Sequence, residues 1–305
     1  LTLPQNDISE VRGIVGATPL ASTMEDIKGR ALMKRDEVDV IQFALPVAGD
    51  NDIQIINNLR DQVQNLKEMW TGQTPAGIPM VPDELTEVAF YGREDVAALL
   101  DEGKVPLGLD LETVEPVTWD LKKGNLLYLT DKEEQMTQFV KQIARSKQKV
   151  IVLAPAYNEL PEMEGVTILS TKEAYVAGIK KMEENIQLRL EQQKSQHEAT
   201  IVLYNQLELM NDLSMDLQSS LNYVLEKGAR AGYATVAMSG SQLNRKIDEV
   251  SKSIKLYKQA IVAMRITDQS VLNVINRPVR EEPLDSQVNY YVEDGFVRKV
   301  KVLMK

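Results

Sequence analysis

From residue 125 onward, short and almost wholly apolar runs alternate with longer stretches of helical periodicity. The runs are residues 125–129, "KVIVLAP" (149–155), "GVTILS" (165–170), "ATIVLYN" (199–205), "ATVAMSG" (234–240) and "AIVAMRI" (260–266). Runs this short and this apolar suit strands buried on both faces. Between them the spacing predicts helices over 134–146, from a cap at Ser170 or Thr171 to about 195, near 214–227, over 244–258 and over 268–275. Strands that alternate with helices imply a largely parallel sheet covered on both sides. The chain closes on "NYYVEDGFVRKVKVL", a hairpin with Asp294-Gly295 at its turn.

The first 125 residues read differently. Residues 30–34 and 40–47 form a second hairpin around Arg35-Asp36-Glu37. Asp50 or Asp52 can cap a helix whose apolar positions Ile56, Leu59, Val63, Leu66 and Trp70 recur at helical spacing, with Gly72 as its stop. "TPAGIPMVPDEL" (74–85) is a connector, a short helix follows at 93–101, and 105–129 holds strand segments separated by polar turns. There is no internal repeat and no low-complexity tract.

Composition narrows the classes. The 305 residues are 43% apolar, ample for a core. With no cysteine, disulfides and thiolate metal sites are excluded and a cytoplasmic setting is favoured. No apolar run reaches the length of a membrane span. The opening "LTLPQNDISEVRG" reads as part of something longer. A net charge of −10 argues against a nucleic-acid groove, which needs clustered Lys and Arg.

The stretch "TDKEEQMTQ" (130–138) lies between a buried strand and a helix start, where an ATPase keeps its phosphate loop, G-x-x-x-x-G-K-[ST]. Over that pattern the first Gly is Thr130, the second is Gln135 and the Lys is Met136; only the hydroxyl, Thr137, remains. Glycines let backbone N–H groups crowd the phosphates while the Lys neutralises charge. Here Asp131, Glu133 and Glu134 set three carboxylates against Lys132. Lys132 comes four residues early and has no glycine beside it. The strand at 201–204, whose end should carry metal-holding acids, ends in Asn205-Gln206, and an amide cannot act as a base. Two degraded motifs in the right order on the right elements read as a relic nucleotide site.

"KGRALMK" (28–34) with "FALPV" (43–47), "IPMVPDEL" (78–85), "VPLGLDLETVEPVTWDL" (105–121), "GARAGYATVAMSGS" (228–241) and the closing hairpin together resemble an ATPase module of the FtsK/SpoIIIE type. The likeness is to the C-terminal module of the membrane-anchored coupling protein of type VII secretion, the EssC/EccC family. It runs along nearly the whole chain, and its order and spacing carry it. The resemblance implies an α/β fold of the P-loop NTPase (RecA/FtsK) kind, a mostly parallel sheet flanked by helices with hairpins at both ends. It implies one domain over 1–305, with an N-terminal part at 1–85 and a core at 86–305. ATP and Mg²⁺ are the family's ligands; with these motifs lost, tight binding and hydrolysis are not expected. The implied partners are small helical-hairpin secreted substrates with C-terminal export signals, sister ATPase modules, and ring neighbours in a hexamer at the cytoplasmic face of the membrane.

Three functional classes follow: a non-hydrolysing module that docks export substrates, an atypical ATPase, and a DNA-translocating relative. The lost Lys and acids count against the second and the acidic balance against the third. His197, the only histidine, reads as solvated, and Arg230 as a surface arginine after a helix. Thr137 can serve simply as a first-turn cap. "DLETVE" and "KKMEEN" are solvated faces, and Trp70 and Trp119 read as core anchors.

Overall fold

The computed structural model describes residues 8–16, 29–73, 77, 79–121, 124–146, 148–277 and 279–303. The chain divides into two compact units, Leu1–Gly77 and Ile78–Lys305. Unit 1 contains α1 (Ile8–Val15), the strands β1 (Arg30–Lys34) and β2 (Val38–Gln42), and α2 (Asp52–Met69). β1 and β2 pair antiparallel from Arg30↔Gln42 to Lys34↔Val38, around the turn the sequence marks. Val11 and Val15 of α1 pack on Leu32.

The cap of α2 lies one residue from each of the two expected, Asp50 and Asp52. Asn51 caps it, its side-chain oxygen accepting the Gln54 N–H at 2.9 Å. The helix stops at Met69, ahead of Gly72, because Trp70 turns extended. No residue of α2 is buried, and Trp70 is 61% exposed. The helical stripe exists, but Trp70 is not the core anchor its size suggested. Trp119, fully buried, is one.

Unit 2 runs α3 (Glu87–Tyr91), α4 (Glu94–Asp101), β3 (Val105–Asp110), β4 (Pro116–Trp119), β5 (Leu126–Leu129), α5 (Glu133–Ala144), β6 (Val150–Leu153), β7 (Val166–Leu169), α6 (Lys172–Glu191), β8 (Ala199–Leu203), α7 (Gln206–Asp212), α8 (Met215–Lys227), β9 (Tyr233–Ser239), α9 (Glu249–Lys255), β10 (Gln259–Val262), β11 (Val288–Glu293) and β12 (Phe296–Lys301). The strands form one sheet in the order β4-β3-β12-β11-β10-β5-β9-β8-β6-β7. β10, β5, β9, β8, β6 and β7 are mutually parallel, and the closing hairpin and β3–β4 extend the sheet in antiparallel fashion.

The period of two explains why the central strands had to be apolar throughout. Leu127 and Leu129 of β5, with Ile201 and Leu203 of β8, face α6, α8 and α9. The alternate residues Leu126, Tyr128 and Val202 face α5 with Trp119. Every residue of β5, β8 and β9 is buried.

Elsewhere short-range signals misled. α3, capped by Thr86, and α7 were not foreseen. The helix expected over 244–258 is confined to Glu249–Lys255, because Asp248 accepts the Ser251 N–H at 2.8 Å and caps it late. The strand expected to reach residue 266 stops at Val262. No helix spans 268–275. There the Gln269 side chain accepts the Leu272 N–H at 2.8 Å, a local bond that competes with helix formation.

β3 reaches the closing hairpin through Gly108, since a Cβ there would collide with the Lys301 carbonyl on β12 and meet Val300 Cγ1 at 2.8 Å. Gly108→Ala should therefore cost about 1–3 kcal/mol. Urea unfolding followed by circular dichroism checks this, with β3–β12 amides expected to exchange first.

Candidate functional site

The C-terminal ends of three neighbouring parallel strands define the site. β5 delivers Thr130 and Asp131, β9 delivers Gly240 and Ser241, and β8 delivers Tyr204 and Asn205. In open α/β sheets this end is where ligands bind. A cavity of about 280 Å³ lies there, lined among others by Asp131, Glu133, Tyr157, Asn205, Glu208 and Lys246.

The connection from β5 to α5 is three residues long, Thr130–Lys132. α5 begins at Glu133, so Glu133–Thr137, over half of the phosphate-loop pattern, is helix. The Gln135 and Met136 amides already bond the Lys132 carbonyl at 3.2 and 3.4 Å, and the Lys132 amide bonds Thr130 Oγ1 at 3.1 Å. Those three N–H groups are committed to the protein itself. None of Thr130–Thr137 has a positive φ, the conformation that glycine supplies where backbone must wrap an anion.

Each substituted side chain has a local task. Buried Thr130 donates its hydroxyl to Gln135 Oε1. Asp131 Oδ1 accepts the Ser241 N–H at 2.8 Å, so a carboxylate of the chain itself takes this donor. It fits because Gly240 has no Cβ, which would lie 2.6 Å from that oxygen. Thr137 Oγ1 lies 2.9 Å from the Tyr204 hydroxyl, which in turn donates to the Glu133 carbonyl at 3.1 Å.

Asn205 stands in left-handed backbone (φ 44°), which asparagine tolerates better than most residues. Its amide donates to Glu133 Oε1 at 3.3 Å and to the Tyr157 hydroxyl at 3.2 Å, while Asn158 donates to Glu133 Oε2 at 3.3 Å. The Glu133 carboxylate is thereby held between two neutral amides. Gln206, fully buried, bridges Ser239 and Ser251 at 3.1 and 3.2 Å and does not line the cavity.

The ten sequence candidates thus separate. Thr130, Asp131, Glu133, Met136 and Asn205 line this cavity. Lys132, Glu134 and Gln135 line a second one of about 250 Å³, whose walls include Leu107, Tyr128, Phe139 and Ile261. Thr137 and Gln206 are fixed by internal hydrogen bonds.

Electrostatics at the first cavity is negative, with Lys246 facing Asp131, Glu133 and Glu208. Burial, reinforced by Glu208, Glu133 and Asp212, pushes the pKa of Tyr157 up. Burial and Glu133 do the same for Tyr204, against the Thr137 hydrogen bond. A phosphate brought here would meet that field, at about 4 kcal/mol per like pair 4 Å apart at an effective dielectric of 20. Tyr157, Glu208 and Lys246 carried no sequence signal, because nothing local marks a loop residue that folds over a distant strand end. Tyr204 could have been noticed, as the polar end of an apolar strand. Among the described residues no cluster of His, Cys, Asp and Glu could hold a metal ion, and no helix is long and apolar enough to cross a membrane. His197 and Arg230 are exposed.

The fold is of the P-loop NTPase-like class, a mostly parallel sheet with helices on both faces, and it matches ATPase domains of solved EssC and EccC proteins. The homologues of this chain are the type VII secretion proteins EssC, EccC and YukB. No protein-family model matches it. EssC of Staphylococcus aureus (strain MRSA252) is 25% identical over 305 residues, covering 97% of this chain and 20% of its own length. Among solved structures, EssC (ATPases 2 and 3) from Geobacillus thermodenitrificans superposes with a TM-score of 0.74 at 22% identity, over 98% of this chain and 59% of that one. Thermomonospora curvata EccC (ATPases 2 and 3), in complex with a signal sequence peptide, gives 0.58 at 17% identity, over 92% and 54%. The chain spans about a fifth of the length of the curated relatives it matches.

Met136, at the Lys position of the motif, is 3% exposed in the core cluster with Tyr128 and Phe139. Met136→Lys should destabilise the protein by about 2–4 kcal/mol through burial of an ammonium. It should also confer no Mg-ATP binding, which denaturant titration and calorimetry on the same sample check.

Proposed function

We propose that this chain is a non-hydrolysing ATPase-type module of a longer type VII secretion protein, one that docks export substrates and assembles with active sister modules at the cytoplasmic side of the membrane. The observation that carries the loss of catalysis is the early start of α5 at Glu133. A three-residue connection cannot wrap a triphosphate, and phosphoryl transfer depends on positioned donors and metal far more than on covalent help from the protein. Glu133, bracketed by the Asn205 and Asn158 amides, is committed to hydrogen bonds within the protein and is no substitute for a base. Tight binding of ATP and Mg²⁺ is therefore not part of this reading. In a phosphate-release assay with Mg²⁺, turnover should stay at background, and Thr137→Ala should leave it there. A turnover near one per second abolished by that substitution would restore the atypical-ATPase reading.

Secretion is supported by the homology, and a solved relative carries a signal sequence peptide. For this chain the docking place we favour is the 250 Å³ cavity beside α5. Leu107, Tyr128, Phe139 and Ile261 give it an apolar wall, and Lys132, Glu134 and amides such as Gln142 and Asn289 give it a polar one. Helical partners dock by an apolar stripe, and small sites of this kind release their cargo readily. The acidic cavity at the strand ends is a poor alternative, since Asp131, Glu133 and Glu208 would all be costly to bury against an apolar face, whereas the favoured cavity carries one acid, Glu134, together with Lys132. Titration with C-terminal tails of small helical-hairpin export substrates should give a Kd on the order of tens of micromolar. Val302→Asp on the cavity wall should weaken it at least tenfold with the fold intact by circular dichroism. No binding at high micromolar concentration would leave a structural end-piece.

A further inference from the structure

Unit 1 contains a hairpin to which no third strand is added among the described residues. The bonds Phe43 N–H to Gly29 O (2.8 Å) and Arg35 N–H to Glu37 O (3.0 Å) bracket its ladder. Bonded and non-bonded pairs alternate along an antiparallel pair. Ala31–Ile41 and Met33–Asp39 therefore exchange the inner bonds, and the backbone groups of Leu32, Lys34, Val38 and Val40 point to the two outer edges. An isolated two-stranded hairpin is marginal in water, and bare edges invite another strand. The next element, α2, leaves Ile53, Ile56, Leu59, Val63, Leu66 and Met69 between 39% and 76% exposed.

Unit 2 shows what such a hairpin does in this fold. β11 pairs antiparallel with the core strand β10, and β12 pairs antiparallel with β3, so the closing hairpin fills the slot between them. We propose that β1–β2 is likewise the closing hairpin of a preceding α/β module in a longer chain, and that α2 lays its apolar stripe on that module. β1 would join the module's β10-like strand and β2 its β3-like strand. A second copy of this chain is the weaker occupant, because its own slot is already filled by β11 and β12. The inference rests on reading these 305 residues as a piece of a longer protein, in line with relatives about five times their length.

Amide hydrogen exchange of the 305-residue chain, compared with a chain extended by about 230 upstream residues, tests it. The extension should slow the outward amides of Leu32, Lys34, Val38 and Val40 by about 100-fold or more. Val40→Pro removes an outward N–H without touching the inner bonds, so in the extended chain it should cancel that slowing along β2. Equal exchange in both chains would overturn the proposal. So would slowing that survives Val40→Pro, or slowing that appears in the 305-residue chain alone as its concentration rises. The readout uses neither substrate nor nucleotide, so it is decided separately from the secretion reading, which a secretion assay decides.

Discussion

Burial of β5, β9 and β8 on both faces is the constraint from which the rest of unit 2 follows. Three adjacent strands with no exposed residue must be parallel, crossed over by helices and covered on each side. That arrangement fixes α5 on one face and α6, α8 and α9 on the other. It also gathers the three strand ends at one edge, so a cavity forms there whatever residues occupy it. The position of the site is a property of topology, whereas its chemistry is a property of the twelve residues that line it.

Those side chains have been put to structural use. Thr130, Asp131, Glu133 and Asn205 satisfy one another or the neighbouring loops, through Gln135, Ser241, Asn158 and Tyr157. The Asp131 carboxylate takes the Ser241 amide, and the helix begun at Glu133 engages the Gln135 and Met136 amides within the chain. The stabilisation comes from neutral or charge-assisted hydrogen bonds inside the fold.

Unit 1 presents the opposite situation, with edges and an apolar stripe that little among its described residues covers. Trp70 makes the point. The same residue type is fully buried at position 119, on a strand that packs against α5, and 61% exposed at position 70, at the end of a helix with no buried residue.

Much of the architecture was legible from residues alone. Apolar runs five to seven residues long specified the parallel strands, and Asp294-Gly295 and Arg35–Glu37 specified the two hairpins, because those signals are local and strong. That residues 130–137 carry neither glycine nor a Lys at position 136 was equally visible. The helix expected over 268–275 failed because a single side-chain bond at Gln269 outweighed a weak propensity. Only the tertiary structure decided that residues 133–137 are helix and that Gln206 turns away from the cavity that Asn205 lines. It also brought Tyr157, Glu208 and Lys246 to the site from separate segments. Local sequence determines what a segment can become, because backbone preference and burial pattern act over a few residues. Which side chains meet at a strand end is set by contacts between segments tens of residues apart, and no single segment carries that information.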